Sequence, residues 1–332
     1  MPKNIIILFD GTWNNNIEGN SGTNIDALKL SISSKDQLKF YYVGVGENIG
    51  NVNRLFWGMT GKGVFIAARK AWEDISNNYQ DGDKIFIFGF SRGAFAARHL
   101  AGMISRYGLT AYKGKIEDGF REYIAKCKNS DVNAVGKVHF LGLFDCVPGN
   151  YLYLLRDKSF HLNSSKLEKG ILNFRHAVSI NERRYSFRPI LFEKGEQLTF
   201  AQHWFTGYHS DVGGHQDNSN GLSSLSLWWM MREAIGLGLD IDNLECENHR
   251  YGNSLGVIQC INPDAEPTSS DYWTTKIGFQ WDRLKKETKN LPDDQIPFDK
   301  LVDCPRCGKE MFDFLATDYG KMRLRKMGFN IE

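Results

Sequence analysis

A serine between two glycines stands at residues 89–93, which read GFSRG. The apolar run at 85–90 precedes it and small or straight-chain residues follow it, so the segment predicts a strand, a sharp turn and a helix. Glycines lie two residues before and after the serine because the strand and the helix converge there and a Cβ atom would collide. We interpret Ser91 as a nucleophile at the N-terminus of a helix, which favours a developing oxyanion. The alternative is a plain Gly/Ser turn.

Two polar residues near other strand ends would complete a catalytic triad with Ser91. Asp145 ends the buried run at 137–144, and His209 follows the strand predicted at 198–208. The chain order of nucleophile, acid and base is that of the α/β-hydrolases. His209 titrates near neutrality and would take the serine proton, while Asp145 would fix the imidazole tautomer and stabilise the imidazolium.

Other residues compete for the roles of acid and base. Asp211 is two residues from His209 and could reach the ring or position the loop. Asp145 is favoured over it because Asp145 ends a strand of its own, as this arrangement requires. Three further histidines are weaker candidates, because only His209 both follows a strand and sits beside a glycine-rich turn. They are His176, His203 and His215.

The turn after the first predicted strand, at 4–9, is expected to contribute to the site. An oxyanion hole uses the backbone N–H of the residue after the nucleophile, here Arg92, and a second donor from a loop near the first strands. Gly11 or Thr12 is the expected source of that donor. Asp10 either supports the site or bonds to the backbone of its own turn, and the second role is at least as well supported.

Two consecutive arginines, Arg183 and Arg184, have two interpretations. Arginine suits the geometry of a phosphate, so they could contact a headgroup near the site. Charged side chains close in sequence more often pair locally, which favours a structural network that braces the loop before His209. The members of that network would be Arg175, Glu182, Arg183 and Arg188.

Strand and helix patterns alternate along the chain. Buried-strand runs at 4–9, 39–45, 85–90, 137–144 and 198–208 are interleaved with helical patterns at 64–79, 93–106, 116–127 and 222–236. This order predicts an α/β-hydrolase-like, doubly wound, mostly parallel sheet with helices on both faces. The helix around 225–231 is apolar nearly all round, which indicates burial. We expect a catalytic domain at 1–245 and a C-terminal subregion at 246–332 that packs on it.

Charge and composition restrict the function classes. The 332 residues carry a net charge of +2 with interspersed signs, which gives no electrostatic case for binding nucleic acid. No apolar run reaches the roughly 18 residues of a membrane-spanning helix. The chain start is interpreted as the first strand rather than a signal peptide, so we expect a protein that is cytoplasmic as synthesised, with reduced cysteines.

One cysteine pair, Cys304 and Cys307, forms half of a zinc knuckle. A structural zinc needs four ligands, and the sequence has no second Cys-x-x-Cys pair. Cys246, Cys260 or His249 would have to complete the set. We therefore expect chemistry without a metal or cofactor, and zinc binding by the pair stays open.

Five segments in order resemble a known family. They read LFDGTWN (8–14), GDKIFIFGFSRGAFAARHLAGMI (82–104), LGLFDCV (141–147), RHAVSINERRYSFRPILF (175–192) and HWFTGYHSDVGG (203–214). The chain resembles the α/β-hydrolase domain family of bacterial and fungal proteins that includes the catalytic domain of type VI secretion phospholipase effectors. Where the family often has Asp-Thr-Val, this chain has Asp145-Cys146-Val147, which retains the acid. Nothing beyond residue 245 resembles the membrane-engaging modules of such effectors.

The resemblance implies a function more specific than the residues do. It implies a hydrolase with Ser91, Asp145 and His209 as its triad, acting on phospholipid acyl esters. It also implies peripheral contact with a membrane, delivery out of the cell by a dedicated secretion system, and an immunity or delivery partner protein. The alternatives are an esterase or lipase for smaller or carbohydrate-linked esters, and a catalytically idle binding or scaffold protein that keeps the turn as architecture.

Overall fold

A six-stranded parallel sheet forms the centre of the molecule. The computed structural model describes residues 2–11, 22–43, 62–109, 135–148, 165–182, 184, 187–205, 207–214 and 222–241, with 302–303 and 310–311. The strands are β1 (Asn4–Phe9), β2 (Gln37–Tyr42), β3 (Lys84–Phe90), β4 (Val138–Phe144), β5 (Ile171–Ser179) and β6 (Thr199–Phe205). Their order across the sheet is β2-β1-β3-β4-β5-β6, and every neighbouring pair is parallel. The predicted α/β class is therefore confirmed.

Helices cover both faces of this sheet. They are α1 (Asn24–Ser31), α2 (Lys62–Asn78), α3 (Arg92–Tyr107), α4 (His209–Gly213) and α5 (Leu222–Ile235). Two-residue strands β7 (Val302–Asp303) and β8 (Glu310–Met311) pair antiparallel. These four residues are all that is described of the predicted subregion at 246–332, so the proposed domain division stays a prediction. The helix predicted at 116–127 also lies outside the described residues.

Alternate residues of β1 enter two different hydrophobic cores. Ile5 and Ile7 pack in the core that α2 and α3 cover, whereas Ile6 and Leu8 pack in the core that α1 and α5 cover. All four side chains are fully buried. A strand buried on both faces needs apolar residues at every position, and this explains the uninterrupted run of the first strand. The predicted burial of the apolar helix, now α5, is also confirmed, since Trp228 to Met231 are buried.

The strand order of the sheet reverses at β1. The chain leaves β1 for β2 on one side and returns to β3 on the other. In doubly wound sheets, ligands bind at the carboxyl ends of the strands beside such a reversal. The residues that follow β1 and β3 here are Asp10 and Ser91.

The helix α3 approaches the sheet closely enough that glycine is required at two positions. A Cβ atom on Gly89 would lie 2.5 Å from the carbonyl oxygen of Gly93 and 2.6 Å from Cα of Ala94. A Cβ atom on Gly93 would overlap the carbonyl oxygen of Phe9. The steric reason given for the two glycines of the sequence motif therefore holds in the structure.

Substitution of Gly89 by alanine should destabilise the fold strongly. The new Cβ meets backbone atoms, which cannot rotate away, so we expect the free energy of unfolding to fall by about 3 kcal/mol. Gly236→Ala is the matched control, because its Cβ would meet nothing nearer than 3.5 Å. We expect that control to change the free energy by less than about 0.5 kcal/mol. Urea denaturation measures both, and equal effects would contradict the close approach.

Candidate active site

Ser91 occupies a strained turn between β3 and α3. Its φ of 58° and ψ of −124° lie outside the regions that residues with a side chain usually adopt, at a cost of about 1–3 kcal/mol. Backbone bonds hold the turn in place. The amide of Ser91 donates to the carbonyl of Phe144 at 3.0 Å, and the carbonyl of Ser91 accepts from the amide of Val147 at 3.4 Å. The turn that carries the serine is thus bonded to the end of β4.

The structure brings Ser91, His209 and Asp145 together in one line of hydrogen bonds. His209 Nε2 lies 2.8 Å from Ser91 Oγ, and His209 Nδ1 lies 2.6 Å from Asp145 Oδ2. All three residues are buried. A carboxylate only accepts, so Nδ1–H donates to Asp145, and Nε2 is left to accept from the serine hydroxyl. This is the tautomer in which the imidazole can act as a base toward the serine.

Asp145 follows β4 in a second turn of positive φ, 38°. Its side chain is held from β5, because Oδ1 accepts from the amide of Ser179 at 3.0 Å and Oδ2 accepts from the hydroxyl of Ser179 at 2.9 Å. Its own amide donates to the carbonyl of Ala177 at 2.7 Å. The end of β5 therefore fixes the carboxylate that contacts the histidine.

His209 begins the short helix α4, and its ring lies between two aromatic rings. The sequence predicted a strand up to residue 208, whereas β6 ends at Phe205. The Phe90 ring is tilted by 32° against the imidazole and the Phe187 ring meets it edge-on, each with centroids 4.7 Å apart. Burial lowers the pKa of His209, whereas Asp145 and Glu182 raise it and Arg184 lowers it further. The net effect is a pKa below the ordinary value, which keeps the ring neutral at pH 7.

The competing acids and bases are engaged elsewhere. Asp211 Oδ2 accepts from the amide of Tyr208 at 2.8 Å, at the start of α4, whereas the ring nitrogen of His209 faces Asp145. His176 lies inside the sheet, where its Nε2 accepts from the amide of Cys146 at 3.1 Å. His203 packs edge-on against a tryptophan of α5. His215 lies outside the described residues.

Asp10 bonds to its own turn and to its neighbours. Its Oδ1 accepts from the amide of Gly11 at 2.6 Å and from the hydroxyl of Thr23 at 2.8 Å, and its Oδ2 accepts from the hydroxyl of Tyr41 at 2.5 Å. The structural role offered for Asp10 therefore matches its contacts. The same contacts occupy the amide of Gly11, one of the two expected sources of the second oxyanion donor. Thr12, the other source, lies outside the described residues.

Arg92 is the first residue of α3, directly after the serine. Its side chain is partly buried, and this burial lowers the pKa of the guanidinium to about 10. A partly buried cation thus follows Ser91 directly in the sequence. The backbone amide of Arg92 belongs to the first turn of the helix, whose amides have no partner within the helix.

The predicted arginine network is partly wrong. Glu182, one of its expected members, binds Arg184, which the predicted network did not include, and Glu182 Oε2 accepts from the amide of His209 at 3.3 Å. Arg175 does not belong to it: its Nε lies 2.6 Å from Glu233 of α5 instead. Arg183 lies outside the described residues. Arg175 lies within β5, where side chains alternate between the two faces of the sheet, and its guanidinium reaches α5, which proximity in sequence did not reveal.

Two further observations concern metals and membranes. Among the described residues, no group of three or more His, Cys, Asp and Glu side chains could hold a metal ion. Cys304 and Cys307 lie outside those residues. Within the same part of the chain, no helix combines the length and the apolar character needed to cross a bilayer.

Comparison with known proteins gives one family and two relatives. Residues 3–134 and 115–233 match the family described as "T6SS, Phospholipase effector Tle1-like, catalytic domain". The uncharacterized protein YEL023C of Saccharomyces cerevisiae is 32% identical over 249 residues, covering 60% of this chain and 35% of its own length. A crystal structure of an uncharacterized protein from Pseudomonas aeruginosa superposes with a TM-score of 0.41 at 20% identity, covering 73% of this chain and 46% of that one. The chain thus spans about a third of the yeast relative.

Substitution of Ser179 by alanine should weaken the support of Asp145. The change removes a buried hydroxyl that donates to a carboxylate, so we expect the free energy of unfolding at pH 7 to fall by about 2 kcal/mol. Ser165→Ala is the control, because that hydroxyl also donates to a carboxylate, Glu193, but in an exposed position. We expect the control to cost less than about 0.5 kcal/mol in the same thermal or urea measurement. Indistinguishable costs would show that Ser179 does not carry the carboxylate.

Proposed function

The chain belongs to the T6SS phospholipase effector Tle1-like catalytic domain family, and from this membership and the site we propose a serine hydrolase that cleaves phospholipid acyl esters. The observation that carries the proposal is the continuous line from Ser91 through His209 to Asp145, with bonds of 2.8 and 2.6 Å. A nucleophile, a base and a group that orients the base are the parts that acyl transfer needs.

The proposed reaction proceeds through an acyl-enzyme. Ser91 Oγ attacks the ester carbonyl carbon while His209 Nε2 takes the hydroxyl proton. The tetrahedral intermediate then collapses, the C–O bond to the alcohol breaks, and His209 returns the proton to the leaving oxygen. A water molecule, deprotonated by the same nitrogen, attacks the acyl-serine and releases the carboxylic acid and free Ser91. Asp145 remains ionised and stabilises the imidazolium that forms in each step.

The oxyanion is proposed to bind at the start of α3. The backbone amide of Arg92 follows the nucleophile and belongs to the first turn of the helix, whose dipole favours negative charge. Gly11 is the proposed second donor only if its amide leaves Asp10 when substrate binds, and Thr12 is the other proposed donor. Each donor of this kind is worth about 3 kcal/mol of transition-state stabilisation.

Phospholipid is the proposed substrate class because of the family, and one feature of the site is compatible with it. The guanidinium of Arg92, the residue that follows Ser91, is partly buried, and a substrate whose phosphate reached this cation would gain a favourable charge interaction. Delivery by a type VI secretion system and an immunity partner are proposed on family membership alone. The alternative substrates are smaller or carbohydrate-linked esters.

Replacing Ser91 by alanine should abolish hydrolysis. We expect the wild type to release fatty acid from vesicles of mixed phospholipids, and Ser91→Ala to lose at least about a thousandfold in kcat. Ser165→Ala is the control and should retain activity, because this partly buried serine bonds to Glu193 and not to the triad. Cleavage of p-nitrophenyl esters without lipid hydrolysis would favour the smaller-ester alternative. A folded wild-type protein that neither hydrolyses an ester nor labels with a fluorophosphonate would favour the scaffold alternative and contradict the proposal.

Replacing Asp145 by asparagine should be nearly as damaging. The amide N–H of asparagine would bond to His209 Nδ1 and leave the proton on Nε2, which can then no longer accept from Ser91, so we expect kcat to fall by about 10³–10⁴. Asp211→Asn is the matched control, because asparagine can also accept from the amide at the start of α4. We expect a loss below about tenfold there. A larger loss for Asp211→Asn than for Asp145→Asn would assign the acid to Asp211.

A further inference from the structure

A second buried carboxylate lies beside the histidine of the site. Glu182 follows β5, is 1% exposed, and accepts from the backbone amide of His209 through Oε2 at 3.3 Å. Asp145 already contacts the ring at 2.6 Å. Two ionised carboxylates next to one imidazole favour the imidazolium, and a protonated His209 cannot take the proton of Ser91.

Arg184 binds this second carboxylate with the geometry of a fork. Its Nε lies 2.9 Å from Glu182 Oε1 and its Nη2 lies 2.7 Å from Oε2, while its backbone amide donates to Oε1 at 2.8 Å. A bidentate bond of this kind fixes the orientation of the guanidinium relative to the carboxylate. The positive charge of Arg184 therefore lies directly against the negative charge of Glu182 and offsets it.

The position of the guanidinium is further fixed by an aromatic ring that also contacts the histidine. The guanidinium carbon of Arg184 lies 3.7 Å from the centroid of the Phe187 ring. The same ring meets His209 edge-on. Arg184 is therefore connected to His209 in two ways. One connection runs through the Phe187 ring, and the other runs through the carboxylate of Glu182.

The other charged and titratable groups near His209 do not provide this balance. They are Ser91 and Asp145, which bond to its ring, and Asp211 on α4 itself. Asp145 raises the pKa of the ring, and Asp211 is bonded to the amide of Tyr208. Burial is the main cause of the lowered pKa of His209, and among the described residues the cation whose charge lowers that pKa further is Arg184.

We propose that Arg184 is a positioning residue that acts through Glu182 and offsets the charge that this carboxylate would otherwise exert on His209 at the pH of catalysis. The inference rests on the proposed role of His209 as the general base. Glu182 has its own task, since it holds the backbone of His209 at the start of α4. Arg184 allows that carboxylate to remain beside the base without charging it.

The test is a pH profile of two single variants that should shift in opposite directions. Arg184→Met leaves the negative charge of Glu182 without its partner cation. The acid limb of the kcat/KM profile for a p-nitrophenyl ester should therefore shift to higher pH by about one pH unit, and the loss of kcat/KM should disappear at high pH. Glu182→Gln leaves the positive charge of Arg184 without its partner carboxylate and should shift that limb to lower pH. The double variant Glu182→Gln/Arg184→Met should return it close to the wild-type position.

Arg175→Met is the matched control, because Arg175 also binds a glutamate, at 2.6 Å, but away from the histidine. Its acid limb should not move. A loss in Arg184→Met that is equal at every pH would show a purely structural role and overturn the inference. If Arg184→Met does not fold, the downward shift of Glu182→Gln still tests the proposal, and an unshifted limb there contradicts it.

Direct titration of His209 separates this inference from the proposed function. The ring proton signal is assigned by its absence in His209→Gln, and its pKa is measured by NMR in wild type, Arg184→Met and Glu182→Gln. Opposite shifts in the two variants support the charge balance even if no ester is cleaved. Equal pKa values in all three proteins, with active wild type, overturn the inference and leave the proposed function standing.

Discussion

The bond between Asp145 and His209 joins residues 64 positions apart, and the whole arrangement depends on it. It exists because parallel strands place their carboxyl ends at one edge of the sheet, so residues that follow β3, β4 and β6 meet there. Both turns that begin this line have positive φ, at Ser91 and at Asp145. Such strain persists only where surrounding bonds hold it, and here the two turns bond to each other through Phe144 and Val147.

Packing on both faces of the sheet makes these turns rigid. The α2 and α3 helices cover one face and α1 and α5 the other, so the central strands have no solvent-exposed side. The close approach of α3 at Gly89 and Gly93 leaves no room for the nucleophile turn to relax. Closely packed protein interiors have low compressibility and transmit strain. A displacement in the core is therefore expected to reach the turns that carry Ser91 and Asp145.

The elements with continuous apolar runs, and the turn that carries Ser91, could be predicted from the sequence. It did not reveal β5, because Asn173, Arg175 and His176 interrupt that strand with polar residues that the fold satisfies internally. Ser179 was missed for the same reason, since its role depends on a strand pairing that only the fold creates. The bond partners of Asp145 and Asp211 also required coordinates, because only the fold shows that the ring nitrogen of His209 faces Asp145.

The two rings against His209 limit how the imidazole can move. Phe90 lies tilted against it and Phe187 meets it edge-on. A ring enclosed in this way cannot turn over about its Cβ–Cγ bond without displacing one of them. The two ring nitrogens therefore keep their separate partners, Asp145 for Nδ1 and Ser91 for Nε2. In the proposed reaction, the attacking and the departing oxygen would therefore have to approach the same edge of the imidazole.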